Sequence, residues 1–391
     1  MRTRFIAFVL ACASALSLNP AHAELPSNFS SQVLDKLLLS PVLANPAMIL
    51  IDGSTGEVVY EKNSNSPRKP ASVMKVLSGA SALEYLDTSA SFNTSVFLGN
   101  TPKTLVIQGS LDPWFSTDND VAVKMHRTSL PRIGFTTMKA LKGANSGSLR
   151  SITIFYSGLY SNDVATLKAF WAKRGFKPIM KSVSLDVAQT HTDVKILDSD
   201  SPTVLEILNF ALLNSDNLLA DRLARLASRA AGNAFNDAGV AITFTGLLQK
   251  FNIDPTALVV ADGSGLSKEN RITASLMGQL LLNLRKDEKF SALYTALPVS
   301  GVSGTLKERF TTTAPDAVGL VHAKTGTLNG TVTLAGYVLS PDREYVFVTL
   351  ADEIPKGTKA SDRARIAIDK LLGRIAAPNI VSEISDASTG H

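Results

Sequence analysis

Cysteine is nearly absent: the 391 residues contain one, Cys12, and none follows it. That excludes a disulfide framework and any cysteine-ligated metal site in the body of the chain. Histidine is scarce too. Beyond residue 23 there are only His126, His191, His322 and His391, with no His-Glu-x-x-His pair for a zinc peptidase. A Gly-x-Ser-x-Gly turn is also missing, which removes the usual nucleophile elbow of a Ser-His-Asp hydrolase. No apolar run after the first residues is long enough to cross a bilayer. Charge is mild, 39 lysines and arginines against 34 acids for a net +5, too weak an excess to argue for nucleic acid. Neither a metal nor a cofactor is expected.

What is present begins with a leader. Arg2 and Arg4, an apolar stretch from Phe5 to Leu18 and the small residues of Ala21-His22-Ala23 have the three-part layout of a secretory signal peptide cut before Glu24. A lipoprotein cut before Cys12 is a lesser alternative, because Leu10 is bulky for that site. Removal of residues 1–23 leaves 391 − 23 = 368 residues, no thiol and, with Arg2 and Arg4 gone, a net charge of +3. The expectation is an exported protein of periplasm or exterior, without a transmembrane anchor, stabilised by its core alone. The tail 379–391 is polar and rich in small residues, and reads as disordered.

Residues 46–62 read as a hairpin, with Met48-Ile49-Leu50 and Val58-Val59-Tyr60 around Asp52-Gly53-Ser54-Thr55-Gly56. A helix follows from Ser72 to Leu86. Residues 104–200 are mixed, with strands at Leu105-Val106-Ile107, 151–155 and 194–197 and a helix at 163–174, and read as an inserted α/β segment. Helices then dominate at 202–213, 218–231, 243–251 and 273–285. Strands at 320–325, 332–339 and 345–351 precede a last helix at 361–375. The catalytic part is thus expected to comprise 24–103 and 201–378.

Three short motifs carry chemistry. In Ser72-Val73-Met74-Lys75 the two polar residues are three apart, so on a helix they share a face. A serine hydroxyl needs a base, and Lys75 serves only if burial or a second cation lowers its pKa. Ser215-Asp216-Asn217 lies between two helical runs; there Ser215 can relay a proton and Asn217 can hold a substrate amide. Lys324-Thr325-Gly326-Thr327 falls on a strand and offers a cation, a hydroxyl, and a glycine against which a substrate backbone can lie. The N–H of Thr327 can pair with that of Ser72 around an oxyanion. Each motif alone has an ordinary explanation: a capping serine, a turn trio, a strand-end bulge. The three together, in this order and context, are the signature trio of penicillin-binding proteins and class A β-lactamases.

Beyond the trio, the chain resembles the D-alanyl-D-alanine carboxypeptidase/endopeptidase branch of the low-molecular-mass penicillin-binding proteins, which carries domains between the first and second motifs. Ala261-Asp262-Gly263-Ser264-Gly265-Leu266-Ser267, Leu297-Pro298-Val299-Ser300-Gly301 with Gly304-Thr305-Leu306, and Leu334-Ala335-Gly336-Tyr337 are similar to stretches of that branch. The resemblance covers roughly 46–115 and 200–372. It implies an α/β (α+β) fold of the penicillin-binding transpeptidase type, an antiparallel sheet covered by helices beside a helical lobe. It also implies Ser72 as the acylated serine, Lys75 as proton acceptor, Ser215 and Asn217 as the second element, and Lys324 with Thr325 on the carboxylate of the leaving D-alanine. The implied partners are peptidoglycan stem peptides and β-lactam inhibitors.

The chain departs from the pattern in three places. The spacing 215 − 72 = 143 is short for the branch, Ser110 replaces a glycine before Leu111-Asp112-Pro113, and His322 stands where arginine is commoner. Strand alternation puts His322 on the face of Lys324, so it either tunes the cleft or is an ordinary surface histidine. A class A-like β-lactamase is the nearest rival, but its Glu-x-x-Asn-like match, Glu206 to Asn209, precedes Ser215 in an apolar helical run. A catalytically silent cell-wall peptide binder is the rival of a different class.

Overall fold

The computed structural model describes residues 31–378 except 342. The expected leader 1–23 and tail 379–391 lie outside the described residues. In chain order come α1 (Ser31–Leu38), the hairpin β1 (Ala47–Asp52) and β2 (Val58–Lys62), a 3₁₀ turn at Ala71–Met74 and α2 (Lys75–Tyr85). Then follow β3 (Ser91–Gly99), β4 (Thr104–Gly109), α3 (Asn119–Lys124), α4 (Leu130–Ala144), β5 (Thr153–Ser157), α5 (Ser161–Ala172), β6 (Ile179–Ser182), α6 (Leu185–Thr190) and β7 (Thr192–Thr203). The helical run is α7 (Val204–Leu213), α8 (Asn217–Ala230), α9 (Asp237–Lys250), α10 (Ala274–Lys286) and α11 (Ser291–Ala296). The chain closes with β8 (Val321–Leu328), β9 (Thr331–Leu339), β10 (Glu344–Ala351) and α12 (Thr358–Ala376).

The first sheet is antiparallel, in the order β2-β1-β10-β9-β8, so β8 is an edge strand. Alternation along its strands divides the core in two. Ile49, Ile51, Val346 and Val348 face α2, α10 and the helical lobe. Met48, Leu50, Leu334 and Phe347 face the opposite way, packing with Leu34 of α1 and Ile368 and Leu372 of α12. Both faces are sealed, and no cross-link is needed: each aliphatic side chain of this size contributes roughly 1.5–3 kcal/mol on full burial. The fold is the α+β type implied by the resemblance.

The second sheet, β6-β5-β4-β3-β7, is mixed: β3 pairs antiparallel with β4 and β7, while β4-β5 and β5-β6 are parallel. It has its own core, in which Ile133 and Leu141 of α4 and Leu167 and Trp171 of α5 pack on Val96, Leu105 and Ile154. This unit starts at β3, so the expected segment 104–200 omits the strand that joins its two halves. Ser91 to Gly99 alternates too weakly to announce a strand, and its burial comes from partners far away in sequence.

Trp114 and Arg222 help fasten the second unit to the helical lobe. The Trp114 ring lies 4.4 Å from Phe210. Arg222 of α8 reaches Asp163 at 3.0 Å, donates to the Pro113 carbonyl at 3.0 Å and stacks over Tyr160. The α8 that Arg222 anchors is the helix that begins at Asn217.

Candidate active site

Ser72 sits on the 3₁₀ turn Ala71–Met74, one step before α2. Ala71 has φ +46, a left-handed value that costs a non-glycine residue energy and persists only when its surroundings enforce it. Two glycines do so. A Cβ on Gly265 (φ +81) would stand 1.8 Å from the Ala71 oxygen, and one on Gly326 would stand 2.9 Å from the Pro70 oxygen and 2.1 Å from Thr333 Oγ1. Thr333 Oγ1 donates to the Pro70 carbonyl at 2.8 Å. The turn is thus gripped between β8, β9 and the loop around Gly265. Gly326 has a structural reason of its own: its bare Cα lets β8 press against the serine turn.

Lys75 is fully buried, at 0% exposure. Its Nζ donates to Ser72 Oγ at 2.8 Å, Asn217 Oδ1 at 2.7 Å and the Ser264 carbonyl at 2.7 Å. Three donors meet three acceptors, which satisfies an ammonium. A neutral amine keeps two donors and gains a lone pair. Asn217 and the Ser264 carbonyl can only accept, so the lone pair must face Ser72, the one partner with a proton to give. Burial lowers the Lys75 pKa from 10.5 to about 8, against the opposing pull of Asp262 and Asp216.

The loop that supplies the Ser264 carbonyl is built on Asp262. Its Oδ1 accepts the N–H groups of Ser264 (2.8 Å) and Gly265 (2.6 Å), and its Oδ2 that of Ser267 (2.5 Å). Burial would raise the pKa of Asp262, but these bonds outweigh it and hold the carboxylate ionised.

Ser215 occupies the corner between α7 and α8 with φ +58, while Asp216 caps α8 by accepting the Leu219 N–H. Asn214 to Asp216 are all that separates the two helices, so one residue must reverse the chain sharply. Lys324 Nζ donates to Ser215 Oγ at 2.9 Å and to the Thr325 carbonyl at 3.1 Å. Burial, and secondarily the charge of Lys75, push the Lys324 pKa well below its free value. Thr325 Oγ1 lies 2.7 Å from Thr305 Oγ1, and Thr327 Oγ1 accepts from Arg365 at 3.2 Å.

The cleft over these groups has a volume of about 370 Å³ and is lined by Ser72, Ser215, Thr305, Arg309, Thr325, Thr327 and Arg365. Hydroxyls form its floor, and Lys75 and Lys324 lie buried behind them. All eight motif residues singled out from the sequence, Ser72, Lys75, Ser215, Asn217, Lys324, Thr325, Gly326 and Thr327, meet around this one cleft. His322 does not join them: it is half-buried and stacks on Tyr294 of α11 at 4.7 Å, and burial lowers its pKa. Sequence reasoning missed four contributors. Ser264 acts through its carbonyl, which no residue type announces. Thr305 and Arg365 reach the cleft because the 3₁₀ turn Gly304–Leu306 and α12 fold against β8, and Arg309 is held there by Asp369 of α12. Among the described residues no cluster of His, Cys, Asp and Glu could hold a metal ion.

Comparison with known proteins gives matching results. The crystal structure of penicillin binding protein 4 (dacB) from Haemophilus influenzae superposes with a TM-score of 0.66 at 17% identity, covering 88% of this chain and 98% of that one. A predatory endopeptidase from Bdellovibrio bacteriovorus gives 0.59 at 16% identity, over 84% and 92%. These establish the fold. In sequence, the chain is 28% identical to carboxypeptidase DacB of Mycolicibacterium smegmatis over 382 residues, 85% of this chain and 82% of that protein. It is 36% identical to the D-alanyl-D-alanine carboxypeptidase of an Actinomadura species over 162 residues, 40% of this chain and 30% of that protein. Over residues 30–186 and 141–375, most of its length, the chain matches and belongs to the D-Ala-D-Ala carboxypeptidase 3 (S13) family.

Proposed function

We propose that this chain, a D-Ala-D-Ala carboxypeptidase by family, trims peptidoglycan stem peptides through an acyl-enzyme on Ser72. The observation that carries the reading is the bond to Ser72 Oγ from a fully buried lysine whose pKa is drawn down to about 8. Lys75 takes the hydroxyl proton as Ser72 attacks the carbonyl between two D-alanines. Ser215, between the cleft and Lys324, relays a proton to the leaving amine. Lys324, Thr325 and Thr327 receive the terminal carboxylate, and the N–H groups of Ser72 and Thr327 hold the oxyanion. Water then cleaves the ester and frees Ser72. Cutting a cross-link uses the same acyl-enzyme and differs only in the leaving amine. The leader-like pattern of residues 1–23 supports action outside the cytoplasmic membrane.

Two rivals fit less well. The carboxylate considered as a β-lactamase deacylation base, Glu206, is engaged at the start of α7. Its Oε2 accepts the N–H and hydroxyl of Thr203, both at 2.8 Å. Slow deacylation, and therefore inhibition by penicillin, follows. A silent peptide binder has no use for a buried amine tuned beside a serine. Incubation with purified muropeptides, read by product mass, tests the reading: loss of one D-alanine supports it, and Ser72→Ala should abolish both that loss and the penicillin adduct on the Ser72 peptide. Release of D-alanine by Ser72→Ala at the parent rate would overturn it.

A further inference from the structure

Residues 91–203 hold 13 lysines and arginines against 8 acids; the rest of the chain has 39 − 13 = 26 and 34 − 8 = 26. The whole net charge of +5 therefore belongs to the second unit. Within it the charge gathers on the helical layer. Between Leu130 and Lys177 there are 8 basic residues and one acid, Asp163, and Asp163 turns inward to Arg222.

The outer face is defined by what the helices bury. α4 buries Ile133, Thr137 and Leu141 and exposes Arg132, Phe135, Lys139 and Lys142, spaced so that all four lie on one stripe. α5 buries Leu167 and Trp171 against the same sheet face and exposes Lys168, with Lys173 exposed at its C-terminal cap. Arg174 ties the two helices from outside, its guanidinium 3.6 Å from the Phe170 ring and 4.8 Å from that of Phe135. Phe135 remains 54% exposed. Asp118 and Asp120 stand on one rim of the groove beside these rings, but Asp118 is occupied in capping α3.

We propose that the outer face of α4 and α5 docks the enzyme on an anionic phospholipid surface. Lysines and arginines on two packed helices meet the headgroups, and the projecting Phe135 ring enters the boundary between headgroup and acyl chain. A soluble polyanion would satisfy the cations and leave the exposed half of the Phe135 ring in water. Among the described residues no helix is long and apolar enough to cross a membrane. The inference is independent of the chemistry at Ser72.

The test is co-sedimentation of the full protein with vesicles of equal parts phosphatidylglycerol and phosphatidylcholine, against vesicles of phosphatidylcholine alone. Binding is expected only to the anionic vesicles and should weaken steeply between about 0.05 and 0.3 M salt. Arg132→Glu/Lys139→Glu/Lys142→Glu should lower partitioning by about a hundredfold or more. Phe135→Ser should lower it less, and Lys36→Glu/Lys286→Glu, on the other part of the molecule, should leave it unchanged. Acylation by a fluorescent penicillin verifies that each variant is folded. The proposal is overturned if the triple variant sediments like the parent, if the Lys36/Lys286 control loses as much, or if soluble polyphosphate binds the parent protein while anionic vesicles do not.

Discussion

Asn217 Oδ1 lies 2.7 Å from Lys75 Nζ, so the second motif's amide is joined to the first motif's lysine in the free enzyme. The amide accepts one of the amine's protons and thereby turns its lone pair toward Ser72. An acceptor that is also an anion would keep that role and spoil the chemistry. Asn217→Asp is expected to raise the Lys75 pKa by about 1–3 units, as a contacting opposite charge does. Acylation by fluorescent penicillin at pH 7 should then fall roughly ten- to a thousandfold, with recovery at higher pH. A pH profile that does not move would show that Asn217 does not set the state of Lys75.

The parent enzyme's own pH dependence follows from the direction of the Lys75 shift. Burial disfavours the charged form and takes the pKa from 10.5 to about 8. In the proposed mechanism the working form is the neutral amine, so activity should be gained as pH rises and lost as it falls. Second-order acylation should climb about tenfold per unit up to pH about 8 and level off above it. A rate constant from pH 6 to 9 would contradict proton transfer to Lys75.

Gly265 tests the grip on the serine turn. Alanine there must adopt φ +81 and place a methyl 1.8 Å from the Ala71 oxygen. The backbone conformation alone costs about 1–3 kcal/mol, and relief of the clash moves the turn that carries Ser72. Gly265→Ala should lower the melting temperature by several degrees and slow acylation by at least about tenfold. Gly143→Ala is the control: no atom lies within 4 Å of its added Cβ, and both quantities should stay near those of the parent protein.

The sequence was most legible where function demands side chains. Eight motif residues could be named because nucleophile, base and anion-binding cation need particular residue types at helix and strand spacings. β1, β2, β8, β9 and β10 were visible through apolar runs bounded by turn residues. Less visible were features fixed by long-range packing. β3 carries Ser91, Asn93, Thr94 and Ser95 and becomes a strand only between β4 and β7. α4 follows a stretch of mixed polarity and shows itself mainly through its Ser129 cap. The packing reason for Gly326 was not legible, because a glycine in a strand says that something approaches closely without saying that the serine turn does so.

Asp112 offers the last test, on stability instead of catalysis. It is 1% exposed, and its Oδ1 accepts the Trp114 N–H at 2.8 Å. Burial raises its pKa from 3.8 to about 6, against the weaker opposing effects of the Trp114 and Thr128 hydrogen bonds and the Arg127 charge. The folded state therefore holds its proton more tightly than the unfolded chain. That contribution is fully present below pH 3.8 and is lost as pH rises through about 6. Near neutrality an ionised Asp112 costs the fold on the order of 2–3 kcal/mol. Asparagine keeps the acceptor for Trp114 and cannot ionise. Asp112→Asn should accordingly raise the urea midpoint at pH 7.5 and leave it nearly unchanged at pH 4. A variant no more stable than the parent at pH 7.5 would mean that Arg127, 4.6 Å above the Trp114 ring, neutralises the buried carboxylate well enough to make its burial harmless.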